Sequence, residues 1–211
     1  MTTLTTRTSR RWGTTLISLA AAFGLALTAS PASADTIDVQ YDVNGSTTIE
    51  STGSDITLGP TVIDTSVEED GSFTGNMVLP GTRTEFKVLG FIPVTADVNF
   101  EPVGPTTGQL TRVGRQRTLA STSSYYVRLS NIKASIFPLF AGPNCRTADP
   151  VVIDADTPDG EFFDIGNGGR LTGEYSIGNF QHCGFNTWLI NVLVPGSGNS
   201  IELNLTDGRL N

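Results

Sequence analysis

The sharpest local motif in the chain is Asp154-Ala-Asp156-Thr-Pro-Asp159-Gly160-Glu161. Several carboxylates on one turn, closed by a glycine, are what a hard oxygen-seeking cation requires. Asp154, Asp156 and Asp159 are therefore the candidate calcium ligands. The spacing departs from an EF-type loop. Acids fall at its first, third and sixth positions, Pro158 interrupts it, and Ile165 stands where the closing acid belongs, with Asp164 one place short. The competing reading is a solvated acidic turn, since Asp is a favoured turn residue. Glu68-Glu69-Asp70-Gly71 has the same character.

Hydrolytic chemistry finds less. His182 is the only histidine and stands beside Cys183. A Ser-His-Asp triad needs that imidazole to meet a serine and an acid in space. No Gly-x-Ser-x-Gly elbow accompanies it. A carboxylate pair of the glycosidase type depends on separation in space, which a sequence does not show. Gly166-Asn-Gly-Gly169 has nothing helical after it and reads as a turn, not a phosphate cradle.

The elements that must position these residues read as strands. Ile37, Val39, Tyr41 and Val43 alternate with polar residues, as do Val94, Ala96, Val98 and Phe100, and Ile201, Leu203 and Leu205. This period of two marks strands with one buried and one wet face, the antiparallel pattern. Residues 83–88, 125–137 and 187–194 are longer apolar or mixed runs that suit central strands. Gly59-Pro60, Asp70-Gly71, Pro80-Gly81, Gly104-Pro105, Gly142-Pro143, Asp159-Gly160 and Pro195-Gly196 punctuate them as turns. No sustained helical period appears after residue 34. About ten to twelve strands so divided predict an all-β fold, an antiparallel β-sandwich with a β-barrel as the alternative. There is also an internal echo. Pro60-Thr-Val-Ile-Asp64 recurs as Pro150-Val-Val-Ile-Asp154, and Gly71-Ser-Phe-Thr-Gly75 as Gly169-Arg-Leu-Thr-Gly173, in the same order. Two pseudo-repeated halves would produce it, and so would turn-rich β sequence reusing the same residues.

Residues 1–34 read as a cleavable signal peptide. Arg7, Arg10 and Arg11 precede an apolar run rich in Leu and Ala, and Ala32-Ser-Ala34 supplies the cleavage site. The apolar run falls short of the roughly 20 residues that span a bilayer. The expected mature chain is 35–211, one all-β domain, secreted to the extracellular side. Leu79-Pro80-Gly81-Thr82-Arg83 resembles a cell-wall sorting signal but sits mid-chain and reads as a turn. In an oxidising compartment an even cysteine count predicts a bridge, here Cys145–Cys183. That argues against a thiol enzyme or a cysteine metal pair. All 21 acidic residues follow residue 34, against ten basic ones, so the mature net charge is −11. Such a chain repels phosphate, which predicts no nucleic-acid partner and no affinity for anionic membrane surfaces.

The twin-arginine-like start, the Ala-Ser-Pro-Ala-Ser-Ala34 site, Thr/Gly-rich strands, two cysteines and few lysines together resemble exported β-rich proteins of actinobacteria. The Gly169-Arg-Leu-Thr-Gly173 strand and Val194-Pro-Gly-Ser-Gly-Asn199 add to the likeness. The resemblance implies export and a β-rich fold. It brings no catalytic residues.

The fourteen aromatics from Phe73 to Trp188 lie largely on strand-like runs, and most of the set is expected in the core. Tyr125-Tyr126 and Phe162-Phe163 are adjacent pairs, so one ring of each should point outward along a regular strand. Exposed rings on a rigid sheet suit a glycan or an extracellular protein. The leading expectation is an exported, non-catalytic binding or structural module. A secreted hydrolase using a carboxylate pair or His182, and a calcium-stabilised adhesion module, are the alternatives.

Overall fold

The computed structural model describes residues 36–88 and 91–211. The export segment read at 1–34 lies outside them. Thirteen strands run in chain order: β1 (Ile37–Ile49), β2 (Ser54–Val67), β3 (Ser72–Met77), β4 (Thr82–Val88), β5 (Ile92–Pro102), β6 (Thr106–Val113), β7 (Gln116–Ala134), β8 (Phe137–Pro138), β9 (Arg146–Thr147), β10 (Val151–Asp156), β11 (Gly168–Ile177), β12 (Phe180–Gln181) and β13 (Gly196–Leu210). One helix, α1 (Thr187–Leu193), lies between β12 and β13. The all-β, antiparallel expectation holds.

The sheet runs β10-β11-β13-β1-β2-β3-β6-β7-β5-β4. The first half of β7 also pairs with β10, from Val151↔Tyr125 to Asp156↔Ala120. That pairing closes a circuit of eight strands. It is not a simple barrel, because β7 continues past the circuit and there carries β5, which carries β4. The two long partners β1 and β2 run past it as well. In that half, two sheet layers face one another in sandwich fashion.

Period-two alternation produces two interiors stacked end to end. In β1, Val39, Tyr41 and Val43 enter the first, and Thr47 and Ile49 enter the second. Between them the register with β2 slips at Val43/Gly45. The extra residue lies on β2, between Leu58 and Thr61. Strand β1 therefore keeps its alternation, while the inward side chains of β2 switch from Ile63, Thr65 and Val67 to Ile56 and Ser54. Gly45 is required there: a Cβ would lie 2.2 Å from the Glu202 carbonyl oxygen. Opposite the slip, Gly59-Pro60 does not end a strand as the sequence suggests. It bends β2, which runs on to Val67.

The internal echo falls on two hairpins of matching register. In β2–β3, Ile63 opposes Met77 and Ser66 opposes Thr74. In β10–β11, Ile153 opposes Tyr175 and Asp156 opposes Thr172. These are the same places in the repeated sequence. Around the circuit the order β1-β2-β3-β6 is answered by β7-β10-β11-β13. The four-strand unit therefore occurs twice.

Cys145 and Cys183 form the expected disulfide. Both are fully buried. They lie beside the short pair β9–β12, and Leu129 of β7 donates its N–H to the Cys145 carbonyl at 2.9 Å. The bridge thus pins the segment leading into α1 onto β7. Residues 187–194, expected as a strand, are instead mostly α1. No helix among the described residues is long and apolar enough to cross a membrane.

Candidate ligand-binding cavity

The two interiors differ in filling. The first is packed around Tyr41, Phe73, Phe163 and the aliphatic residues of the circuit, leaving a residual void of about 50 Å³. The second holds a cavity of about 330 Å³. One wall comes from alternate residues of β4, β5 and the second half of β7, such as Phe86, Val98 and Leu129. The opposite wall comes from Ile49 of β1, Ile56 of β2 and Ile177 of β11. Helix α1 roofs it with Leu189, Ile190 and Leu193. Left empty, an apolar void of 330 Å³ costs roughly 8 kcal/mol at about 24 cal/mol per Å³. That is on the scale of the whole stability of a domain, about 5–15 kcal/mol. A core selected only for stability would have filled it.

Few polar groups reach this space. Thr47 Oγ1 and Tyr175 OH lie 2.7 Å apart, and Thr47 donates onward to the Ser200 carbonyl. Burial pushes the Tyr175 phenol up, only partly opposed by its bond to Thr47, so it remains a neutral hydroxyl. Thr52 and Ser54 satisfy one another at 2.7 Å. Thr84 is different. It lines the cavity from β4, is 7% exposed, and its hydroxyl has no partner. A buried hydroxyl without a partner forfeits about 1–3 kcal/mol. Among the described residues it is the one lining group without any hydrogen-bond partner, and no charged side chain of those residues lines the cavity.

The residues singled out from the sequence lie elsewhere. Asp154 and Asp156 alternate onto the outer face of β10 and are spent locally. Thr122 donates to Asp154 at 2.6 Å, and the Ser121 N–H to Asp156 at 3.3 Å. Asp159 sits in the following turn. Among the described residues, no three acidic, histidine or cysteine side chains converge as a metal site. Asp154 and Asp156, the first two candidate calcium ligands, thus share the outer face of β10, and Asp159 lies beyond the strand's end. Asp70 caps its own turn, accepting from the Ser72 hydroxyl and N–H. Those bonds, the hydroxyl first, hold its carboxyl below the ordinary range.

His182 is exposed, with a left-handed φ of 59°, and forms no part of the cavity wall. One carboxylate pair, Glu174 and Glu202, borders a shallow polar depression on the outer faces of β11 and β13. Glu202 there is engaged by Arg170 at 3.2 Å.

In each aromatic pair one ring is buried and the other is not, on strand β7 for Tyr125-Tyr126 and in the connection between β10 and β11 for Phe162-Phe163. Tyr125 and Phe163 are buried, Tyr126 turns outward beneath the Arg146 guanidinium at 4.2 Å, and Phe162 is exposed. Five further rings stand outside the core: Phe91, Phe137, Phe140, Phe185 and Trp188, whose exposures run from 68% to 98%. The cavity and this surface were both missed from sequence. A usable signal was present in Val88-Leu-Gly-Phe-Ile-Pro93 and Ile136-Phe-Pro-Leu-Phe140, turn-like segments that are apolar where turns are ordinarily polar. Compared with protein-family models, curated proteins and solved structures, the chain matches none.

Proposed function

We propose that the protein is an exported, non-catalytic binding module that holds one apolar small molecule of the lipid class between its two sheet layers. The observation that carries this reading is the 330 Å³ apolar cavity with a single orphan hydroxyl, Thr84, in its wall. Ligand sites are typically apolar cavities of about 300–1,000 Å³ with a few placed polar groups that fix orientation. An aliphatic chain would fill the void, and one ligand oxygen would meet Thr84 Oγ1. The wall offers neither an acid nor a histidine, so the site suits retention over turnover. The disulfide suits an oxidising, extracellular setting.

The test is direct. A fluorescent fatty acid titrated into the purified, disulfide-bonded protein should bind at one site. Ala96→Phe, which places a ring inside the cavity from β5, should abolish that binding while leaving the β-sheet circular dichroism unchanged. Absence of binding by the unmodified protein, for both an acidic and a neutral acyl probe, sinks the reading.

A further inference from the structure

We infer that the α1 end of the molecule docks on a lipid bilayer, with α1 and two hairpin ends inserted among the headgroups. The evidence is an in-and-out pairing along three segments. In each, one residue lines the cavity and its neighbour projects into solvent. Ile92 faces in and Phe91 out; Leu139 faces in and Phe140 out; Leu189 faces in and Trp188 out. The segments are stitched into one surface. Ser135 donates its N–H to the Pro93 carbonyl at 2.7 Å, and Asn186 donates from Nδ2 to the Phe140 carbonyl at 3.1 Å. Phe185 at 98% and Phe140 at 82% exposure are close to fully solvated. Rings held in water at such cost mark an interaction surface.

Charge selects the bilayer as occupant. Residues 86–93, 131–148 and 175–199 contain none of the chain's 21 acids. Both lysines of the chain, Lys87 and Lys133, are in them, with His182; Arg146 is in them too but is paired with Glu101 at 3.7 Å. The nearby β1–β2 turn brings one acid, Glu50, whose N–H is held by Asn199. A net charge of −11 predicts repulsion from anionic surfaces for the chain as a whole. Acids do stand on the outer faces of the cavity strands, Glu85 between Thr84 and Phe86 and Asp97 between Ala96 and Val98. Asp97 is engaged by Asn131 and Arg83. The ring-bearing tips themselves carry none, and charges beyond about 8 Å are screened at physiological ionic strength. The shape agrees. The rings stand on separate protruding tips, which acyl chains accommodate without a matching relief. Tryptophan and phenylalanine beside cationic residues are the side chains that settle at the headgroup boundary. The inference uses the cavity reading only for its purpose: an apolar ligand would pass between bilayer and cavity beneath α1 without crossing water.

The experiment is vesicle co-sedimentation of the purified, disulfide-bonded protein with phosphatidylcholine vesicles, and with vesicles containing phosphatidylglycerol as well. The unmodified protein should bind both, with a blue shift of Trp188 fluorescence. The double variant Phe185→Ser/Trp188→Ser changes only exposed side chains and should keep its melting temperature. It should lose vesicle affinity at least about ten-fold, as expected from withdrawing two buried aromatic side chains. It should still bind the fluorescent fatty acid in solution. Ala96→Phe should do the opposite, losing the fatty acid and keeping the vesicles, so the two proposals fail separately. No binding to either vesicle, or equal binding by the double variant, overturns docking. A dimer in sedimentation analysis that the double variant abolishes, without vesicle binding, overturns it in favour of a self-interface.

Discussion

Asn191 of α1 grips Phe180 of β12 at both backbone groups, accepting its N–H at 2.7 Å on Oδ1 and donating from Nδ2 to its carbonyl at 3.0 Å. One side chain thereby does for β12 what a neighbouring strand would do. It also ties the roof of the cavity to the strand pair held by the disulfide. Phe180 is 2% exposed, so its backbone has no ready access to replacement water. Asn191→Ala should destabilise the fold by about 2–3 kcal/mol through the groups left unpaired. Amide hydrogen exchange should rise in α1 and β12 more than in the eight-strand circuit. Uniform exchange across the sheet would show that α1 is not separately latched.

Thr84 should show stability and binding moving in opposite directions. Thr84→Val keeps the shape and removes the orphan hydroxyl. The ligand-free protein should gain about 1 kcal/mol in chemical denaturation. Affinity for an oxygen-bearing acyl probe should fall several-fold. A loss of stability instead would mean that the hydroxyl is satisfied within the protein.

Alkaline pH should weaken the fold. Tyr41 donates to the Ile165 carbonyl at 2.8 Å; burial, and then the negative charge of Asp164, push its pKa up to about 12. Burial also raises Tyr125 and Tyr175, against opposing hydrogen bonds from Thr106 and Ser123 and from Thr47 respectively. An unfolded tyrosine ionises near about 10. A group whose folded pKa is raised contributes fully below its unfolded pKa and loses that contribution as pH climbs through the folded one. Stability should therefore hold to about pH 10 and decline towards about pH 12. Tyrosinate absorbance measured beside circular dichroism checks this. Ordinary titration of these tyrosines with the sheet intact would refute it.

Calcium should leave the melting curve where it is. Asp154 and Asp156 already accept hydrogen bonds from Thr122 and Ser121 on the outer face of β10. Melting with added calcium and with chelator should superimpose. A rise with calcium, lost in Asp156→Asn, would restore the acidic turn as a site.

Sequence periodicity was sufficient for the sheet and cysteine count for the bridge, because both depend on pattern alone. The cavity was not legible for a plain reason: alternation shows which face of a strand turns inward, not whether the opposite face reaches far enough to touch it. Helix α1 hid for a related one. Leu189, Ile190 and Leu193 face the cavity while Trp188 and Val192 face solvent, so the segment is apolar all round and shows no helical stripe. The surface rings were not distinguished from the core ones because aromatic residues are expected inside, and here their exposure follows from their position on turns.

The two four-strand halves of the circuit differ in what is added to them. Each copy carries an extra piece at the same joint, between its third and fourth strands: β4–β5 in the first copy, β12 with α1 in the second. Those two additions supply the roof of the cavity and, with the second half of β7, one of its walls, and they carry Phe91, Phe185 and Trp188. The paired insertions therefore make one end of the molecule unlike the other, and the asymmetry of the cavity comes from what is added between strands and not from the strand order itself.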